Sequence, residues 1–338
     1  PAIKSGFPTR SIEFNGKNKS DEELSMTLNY GINRFVVDNP SELYHFEQLC
    51  LDRSVKANVL FRITPAVSAN THDYISTGKK DSKFGIPLDD DILYPLIASA
   101  IESKAIHFLG FHFHVGSQLH EINTHLSALE VILKLILNTK ERFNYTISDF
   151  NLGGGFGIKY TDADHPVALS AFVEPLMNRL ESFCSAHEMV RPHVSMEPGR
   201  YIVGEAGIQL YTIGNIKQIP DVKTYVSIDG GMTDNVRPGL YGAKYDACIA
   251  NKADYEKDTL VDISGKCCES TDILIKGLSI PKPQFRDILT VFSTGAYGYS
   301  MANNYNKLQI PAVVIVKSSE HQLIVRRQSY DEMIEREL

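Results

Sequence analysis

Cysteine is scarce in this chain. There are five, Cys50, Cys184, Cys248, Cys267 and Cys268, and no two form a CxxC pair. That excludes a zinc ribbon and a disulfide framework as starting points, and such usage fits a reducing cytoplasm. Long runs of one charge are also missing, and the formal net charge is -7, so nucleic acid and anionic membranes are poor partners. No apolar stretch approaches the ~18 residues of a membrane span. The opening Pro1-Ala2-Ile3-Lys4-Ser5-Gly6 has no signal-peptide core. Internal repeats and low-complexity linkers are absent too. What is there is the mix of a folded protein, 43% hydrophobic and 22% charged. Its 338 residues are enough for a sizeable core and suggest two domains.

The first two thirds alternate β-rich runs with amphipathic helices. Strands are predicted at Ile12–Phe14, Phe35–Val37, Asn58–Ile63, Phe108–Val115, Asp149–Leu152 and His193–Glu197. Ser20 is placed to cap a helix whose first turn holds Asp21, Glu22 and Glu23, with Gly31 suited to its end. Apolar residues at helical spacing follow from Asp91 to Ile101, from Ile122 to Ile136 and from Leu169 to Phe183, as core packing requires. Six strands alternating with helices imply a parallel α/β sheet, either open and doubly wound or part of a (β/α)8 barrel, which needs eight. After about residue 204 the pattern turns to strands, at Ile208–Ile213, Thr224–Ile228, Thr290–Phe292 and Val313–Val316.

Several segments carry candidate chemistry. Asn151-Leu152-Gly153-Gly154-Gly155-Phe156-Gly157 follows a strand, and its glycines let the backbone turn tightly and present N–H groups to a phosphate. It is neither a P-loop nor a dinucleotide fingerprint, and a plain flexible turn is the alternative. His112 and His114 lie two apart, on one face of a strand. No Asp, Glu or Cys stands at ligand spacing beside them, so no metal site is expected. They are either core histidines or rings that stack on an aromatic cofactor. Glu197 and Arg200, in Met196-Glu197-Pro198-Gly199-Arg200, read as an ion pair or as ligand-facing groups at a barrel strand's end. Asp229–Met232, Asn235–Gly242, Gly265–Asp272 and Gly295–Met301 place glycine and polar residues at loops of a β-rich stretch.

Taken in order, these segments resemble the diaminopimelate decarboxylases. The resemblance is carried by FHFHVGSQ, LGGGFGI, EPGR, DNVRPGLYGA, CESTDIL and GAYGYSMANNYN. Gly6-Phe7-Pro8, Asn15–Ser20, and Thr77-Gly78 with Asp81–Ile86 add to it, so that it spans nearly the whole chain. It implies a fold-type III pyridoxal 5'-phosphate enzyme, with a (β/α)8 barrel over residues 1–204, incomplete at its N-terminus, and a mostly β domain over 205–338. The latter would complete the site at a homodimer interface.

The resemblance also implies roles. His114 would stack on the pyridine ring, and Gly154, Gly155 and Gly157 with Tyr297 would hold the phosphate. Glu197 would pair with the pyridine nitrogen, keeping the ring charged and a better electron sink. Arg200, Arg237, Tyr241 and Glu269 resemble the substrate-contacting set. They suit the carboxylate and the ammonium at the unreacted end of meso-2,6-diaminopimelate. Leaving either unpaired costs about 1–3 kcal/mol, which disfavours ornithine and lysine as substrates. Cys268 matches the residue expected to protonate the carbanion, supplied across the dimer; Cys267 reads as a packed thiol. The implied products are L-lysine and CO2, released by a cytoplasmic homodimer.

One element of the family pattern is not found in its place. The cofactor lysine of the family lies on the first barrel strand, upstream of the Gly6-Phe7-Pro8 segment, and the predicted strands are two short of eight. The expectation is therefore a chain that lacks that lysine-bearing strand. Lys56 mimics the lysine motif but stands directly before Leu60-Phe61-Arg62-Ile63-Thr64-Pro65, which matches a later strand. Two other readings stand beside the leading one. The first is a non-catalytic relative acting as a binding or regulatory protein. The second is a decarboxylase of ornithine, arginine or carboxynorspermidine.

Overall fold

Ser20 and Glu23 start the first helix by bonding reciprocally to each other's backbone N–H. That helix, α1 (Asp21–Asn29), is followed by Gly31 at φ +74, a left-handed position that glycine takes without cost. Asn39 caps α2 (Pro40–Asp52), with proline at the first helical position where no N–H is needed. The computed structural model describes residues 2–67 and 82–337, so Thr77, Gly78 and Asp81 of the family pattern lie outside the described residues. The chain divides into two compact units, Pro1–Gly157 with Pro166–Pro198, and Ile158–His165 with Gly199–Leu338.

The first unit is built on a parallel sheet of β1 (Arg34–Val37), β2 (Ala57–Thr64), β4 (Ile106–His112), β5 (Asp149–Gly154) and β6 (His193–Glu197), paired in that order. The two-residue β3 (Ile86–Pro87) pairs with β2. The predicted strand at Ile12–Phe14 forms only a single bridge, Phe14 to Phe35, which sets a sixth parallel position beside β1. Between the strands run α1, α2, α3 (Asp90–Glu102), α4 (Asn123–Phe143) and α5 (Leu169–Ala186). One core joins them, with Phe35, Phe61, Phe108, Phe111, Phe113 and Phe150 fully buried against the helical stripes. Strands buried on both faces explain the near-continuous apolar runs.

The second unit begins with the short α6 (Gly199–Val203) and is mostly β. Its six strands are β7 (Gln209–Ile219), β8 (Lys223–Ile228), β9 (Ala247–Ile249), β10 (Thr259–Ser264), β11 (Ile273–Ile280) and β12 (Ile288–Val291), in the spatial order β11-β10-β8-β7-β12-β9. The helix α7 (Arg237–Tyr241) stands between β8 and β9. A separate hairpin, β13 (Val313–Lys317) with β14 (Glu320–Val325), precedes α8 (Tyr330–Ile334). The core is aliphatic, around Ile213, Val226, Ile263, Leu289 and Val291, and it takes in Ile158 and Tyr160 from the segment that leaves the first unit.

Candidate active site

In the first unit the sequence-predicted residues meet at the C-terminal ends of β4, β5 and β6. That is the end at which parallel α/β sheets bind ligands. His112, fully buried, ends β4, and its Nε2 lies 3.1 Å from Glu197 Oε1 at the end of β6. Asn151 on β5 donates to the same oxygen at 3.2 Å and to Glu13 at 2.8 Å. Glu13 in turn accepts from Arg34, which also reaches Asp149 at 2.6 Å. A chain of hydrogen bonds thus runs through the sheet and fixes one oxygen of Glu197. Among the described residues its two hydrogen bonds, from His112 and Asn151, both use Oε1 and not Oε2.

These contacts decide the charge of Glu197. Burial works against ionisation, but the hydrogen bond and charge of His112 outweigh it, with help from His114 and Asn151. The carboxyl is held down at about 2. His114 moves the other way as a base: burial, then the nearby Arg62 charge, push it down to about 4, so the ring is neutral near pH 7. Its Nδ1 accepts the Gly154 N–H at 3.2 Å, which leaves the ring hydrogen on Nε2.

The glycine run is required first by packing. Gly153 has φ +66, and a Cβ there would lie 2.1 Å from the Phe113 carbonyl oxygen. A Cβ on Gly154 would lie 2.1 Å from the Glu197 carbonyl oxygen. The bare backbone lets β4, β5 and β6 converge where the ring and carboxylate groups sit. The loop's amides are partly used: Gly153 N–H bonds Asn151 Oδ1, Gly154 N–H bonds His114, and Gly157 N–H bonds the Leu119 carbonyl at 2.9 Å. Phe156 N–H has no acceptor among the described residues. Lys56 stands exposed before β2, at the opposite end of the sheet.

In the second unit Arg200, on α6, and Arg237, opening α7, are both buried. Each donates to the hydroxyl of Tyr160, Arg237 at 3.1 Å, and Arg237 also donates to Tyr245. The Arg200 guanidinium lies 4.9 Å from the ring centroid of Tyr297, which sits exposed at φ +62. Tyr241 ends α7, half-buried. Cys268 and Glu269 are exposed in the loop between β10 and β11, where Cys268 N–H bonds Asn306 and Glu269 Oε1 accepts from Thr271 N–H at 3.4 Å. No hydrogen bond ties this loop to the arginine pair among the described residues. The neighbouring Cys267 thiol is pushed up to about 11 by burial and by Asp272. Asn151, Glu13, Tyr160 and Tyr245 have no role assigned from sequence, and His112 has one only jointly with His114. Of these only His112 carried a signal, as the partner of His114 in the HxH pair.

His114 and Glu197 in the first unit titrate with the opposite sign to Asp234 in the second. His114 falls from 6.5 to about 4 and Glu197 from 4.5 to about 2, so the folded form holds fewer protons than the unfolded one in both windows. Their contribution is complete above pH 6.5 and erodes as pH falls. Asp234, raised from 3.8 to about 6 by burial despite its bond from Tyr211, favours the folded state at low pH and loses that as pH rises through 6. Denaturant melts from pH 7 to 4 should show the His114→Gln variant losing less stability on acidification than the parent. An equal loss in both would refute the His114 contribution.

Comparison with known proteins shows the family and the fold. Residues 2–204 match a family described as pyridoxal-dependent decarboxylase, pyridoxal binding domain. The diaminopimelate decarboxylase of Bacillus methanolicus is 47% identical over 326 residues, 96% of this chain and 76% of the relative. That of Bacillus subtilis is 44% identical over 337 residues, 100% of this chain and 77% of the relative. Among solved structures, the diaminopimelate decarboxylase of Methanocaldococcus jannaschii in complex with L-lysine superposes with a TM-score of 0.91 at 34% identity, covering 100% of this chain and 76% of that one. The shared architecture is a barrel of the (β/α)8 type followed by a β domain.

Proposed function

The chain belongs to the pyridoxal-dependent decarboxylases and, within them, to the diaminopimelate decarboxylases, and from that membership we propose how its own residues decarboxylate meso-2,6-diaminopimelate to L-lysine and CO2. The observation that carries the reading is Glu197, a carboxylate kept ionised by His112 and Asn151 at the ends of the barrel strands. Pyridoxal phosphate, when bound, supplies the electron sink for the pair left by the departing carboxyl group. The residues of the first unit fit that group. Glu197 Oε2 is available to hold a proton on a ring nitrogen, and the neutral His114 offers a flat face. The glycine loop keeps Phe156 N–H without an acceptor among the described residues, as a phosphate oxygen requires. Gly154, Gly155 and Gly157 shape that loop, and Tyr297 assists at the phosphate.

In this reading Arg200 and Arg237 hold the carboxylate at the unreacted end of the substrate, with Tyr241 beside them, and Glu269 takes the ammonium. Cys268 returns the proton to the carbon that lost CO2 and is supplied across a homodimer. Residues 1–204 form the cofactor-binding domain, and 205–338 complete the site at the dimer interface. A cytoplasmic enzyme fits the sparing use of cysteine. Among the described residues no helix is long and apolar enough to cross a membrane.

The test is a comparison of CO2 release from meso-diaminopimelate, ornithine and lysine by the protein loaded with pyridoxal phosphate. Diaminopimelate should be turned over at least about tenfold faster, the least that one lost charged contact implies. Equal or faster turnover of ornithine refutes the substrate assignment.

A further inference from the structure

Tyr160 accepts from both buried arginines at once: Arg200 Nη1, and Arg237 Nη1 at 3.1 Å. Its ring packs edge-on against Tyr245 at 5.1 Å, and the two guanidiniums lie 5.6 and 5.2 Å from its ring centroid. Tyr245 accepts from the same nitrogen of Arg237. A phenol oxygen has two acceptor lone pairs and one donor hydrogen. Both acceptor positions of Tyr160 are filled, and its own hydrogen has no acceptor among the described residues. Arg237 has tyrosine oxygens as its partners and no carboxylate within 4 Å among the described residues. Tyr160 and Arg237 are each 7% exposed and Tyr245 4%. With Arg237 donating only to tyrosine oxygens and the Tyr160 hydrogen unaccepted among the described residues, Tyr160 and Arg237 form a buried pair rich in donors and poor in acceptors, which is costly unless an anion completes it.

We infer that Tyr160 is a specificity-determining residue. It locks the two guanidiniums into one fork and gives its own O–H to the carboxylate they hold, so that a substrate anionic at its unreacted end is selected. The inference rests on the proposed reading of Arg200 and Arg237 as the carboxylate-holding pair. Two accepted N–H bonds from cations polarise the phenol and strengthen it as a donor. The hydroxyl also removes the freedom of two long side chains before substrate arrives, which lowers the ordering cost of binding.

Pimelate, which has the two carboxylates of diaminopimelate at the same spacing and no amino groups, is the probe. Cadaverine, which has amino groups and no carboxylate, is its control. Titration calorimetry on the protein loaded with pyridoxal phosphate should show Tyr160→Phe binding pimelate about tenfold or more weakly, with cadaverine unchanged. The KM for diaminopimelate should rise by a similar factor while kcat stays within about twofold. Pimelate affinity within about twofold of the parent in Tyr160→Phe, but lost in Arg237→Leu, overturns the inference and leaves the arginine reading standing. Unchanged affinity in both variants overturns both. If Tyr160→Phe does not fold, the parent protein with 13Cζ-labelled tyrosine decides. The Tyr160 resonance should move on adding pimelate and not on adding cadaverine; an unmoved resonance overturns the inference.

Discussion

Replacing Glu197 by Gln is expected to cut the turnover of diaminopimelate by about two to three orders of magnitude, the usual cost of removing one preorganised electrostatic group. Glutamine keeps the shape and keeps an oxygen that accepts from His112 and Asn151, so the hydrogen-bond chain from Asp149 through Arg34 and Glu13 survives. What is lost is the negative charge. The variant should fold, with KM little changed, because the residues proposed to grip the substrate are others. A fall in kcat of less than about tenfold would show that the charge is not used in the reaction.

The depressed acidity of Glu197 sharpens this prediction. Its carboxyl titrates at about 2, so the charge is complete throughout the working range. The parent's activity profile should carry no limb from Glu197 above about pH 4. Loss of the charge by mutation is therefore a uniform loss across pH and not a shift of the profile. An Asn151→Ala change, which removes one of the two bonds to Oε1 and the bond to Glu13, should act in the same direction and more weakly.

Much of the fold was legible because periodicity reports burial directly. The capping box at Ser20 and the apolar stripes of α3, α4 and α5 lie where the sequence puts them. Ile12–Phe14 was over-read: an apolar–polar–apolar triplet satisfies a strand pattern, but only Phe14 finds a partner. In the second unit β10 and β11 went unread. Asp262 breaks the first apolar run, and Gly277, at φ +65, bends the second next to a register shift. The site was legible where motifs are local and illegible where pairing is distant. His112 differs from a core histidine only through Glu197, 85 residues later. Tyr160 has no pattern of its own. It matters because Ile158–His165 belongs to the second unit, and there is no linker at either end of that segment to announce it.

The largest stability effect is expected from Gly153→Ala, at about 3–5 kcal/mol. Two costs combine there. A non-glycine residue at φ +66 loses roughly 1–2 kcal/mol. The new Cβ must then clear the Phe113 carbonyl oxygen, 2.1 Å away, and that oxygen belongs to a fully buried residue held in the core between buried His112 and, two residues on, buried Val115. No rotamer change relieves it. Gly277→Ala separates the two costs, since Gly277 has nearly the same φ, +65, with nothing within 4 Å of its missing Cβ. It should lose only the smaller amount. Urea melts of both variants against the parent measure the difference. If Gly153→Ala costs no more than Gly277→Ala, the strand ends relax freely, and the glycine is not needed for packing. If the expected difference appears, it should be accompanied by loss of turnover in whatever fraction still folds. The Gly153 N–H orients Asn151, and Asn151 holds Glu197. A methyl group that pushes β5 away from the Phe113 carbonyl therefore reaches the carboxylate to which the proposed chemistry assigns its charge.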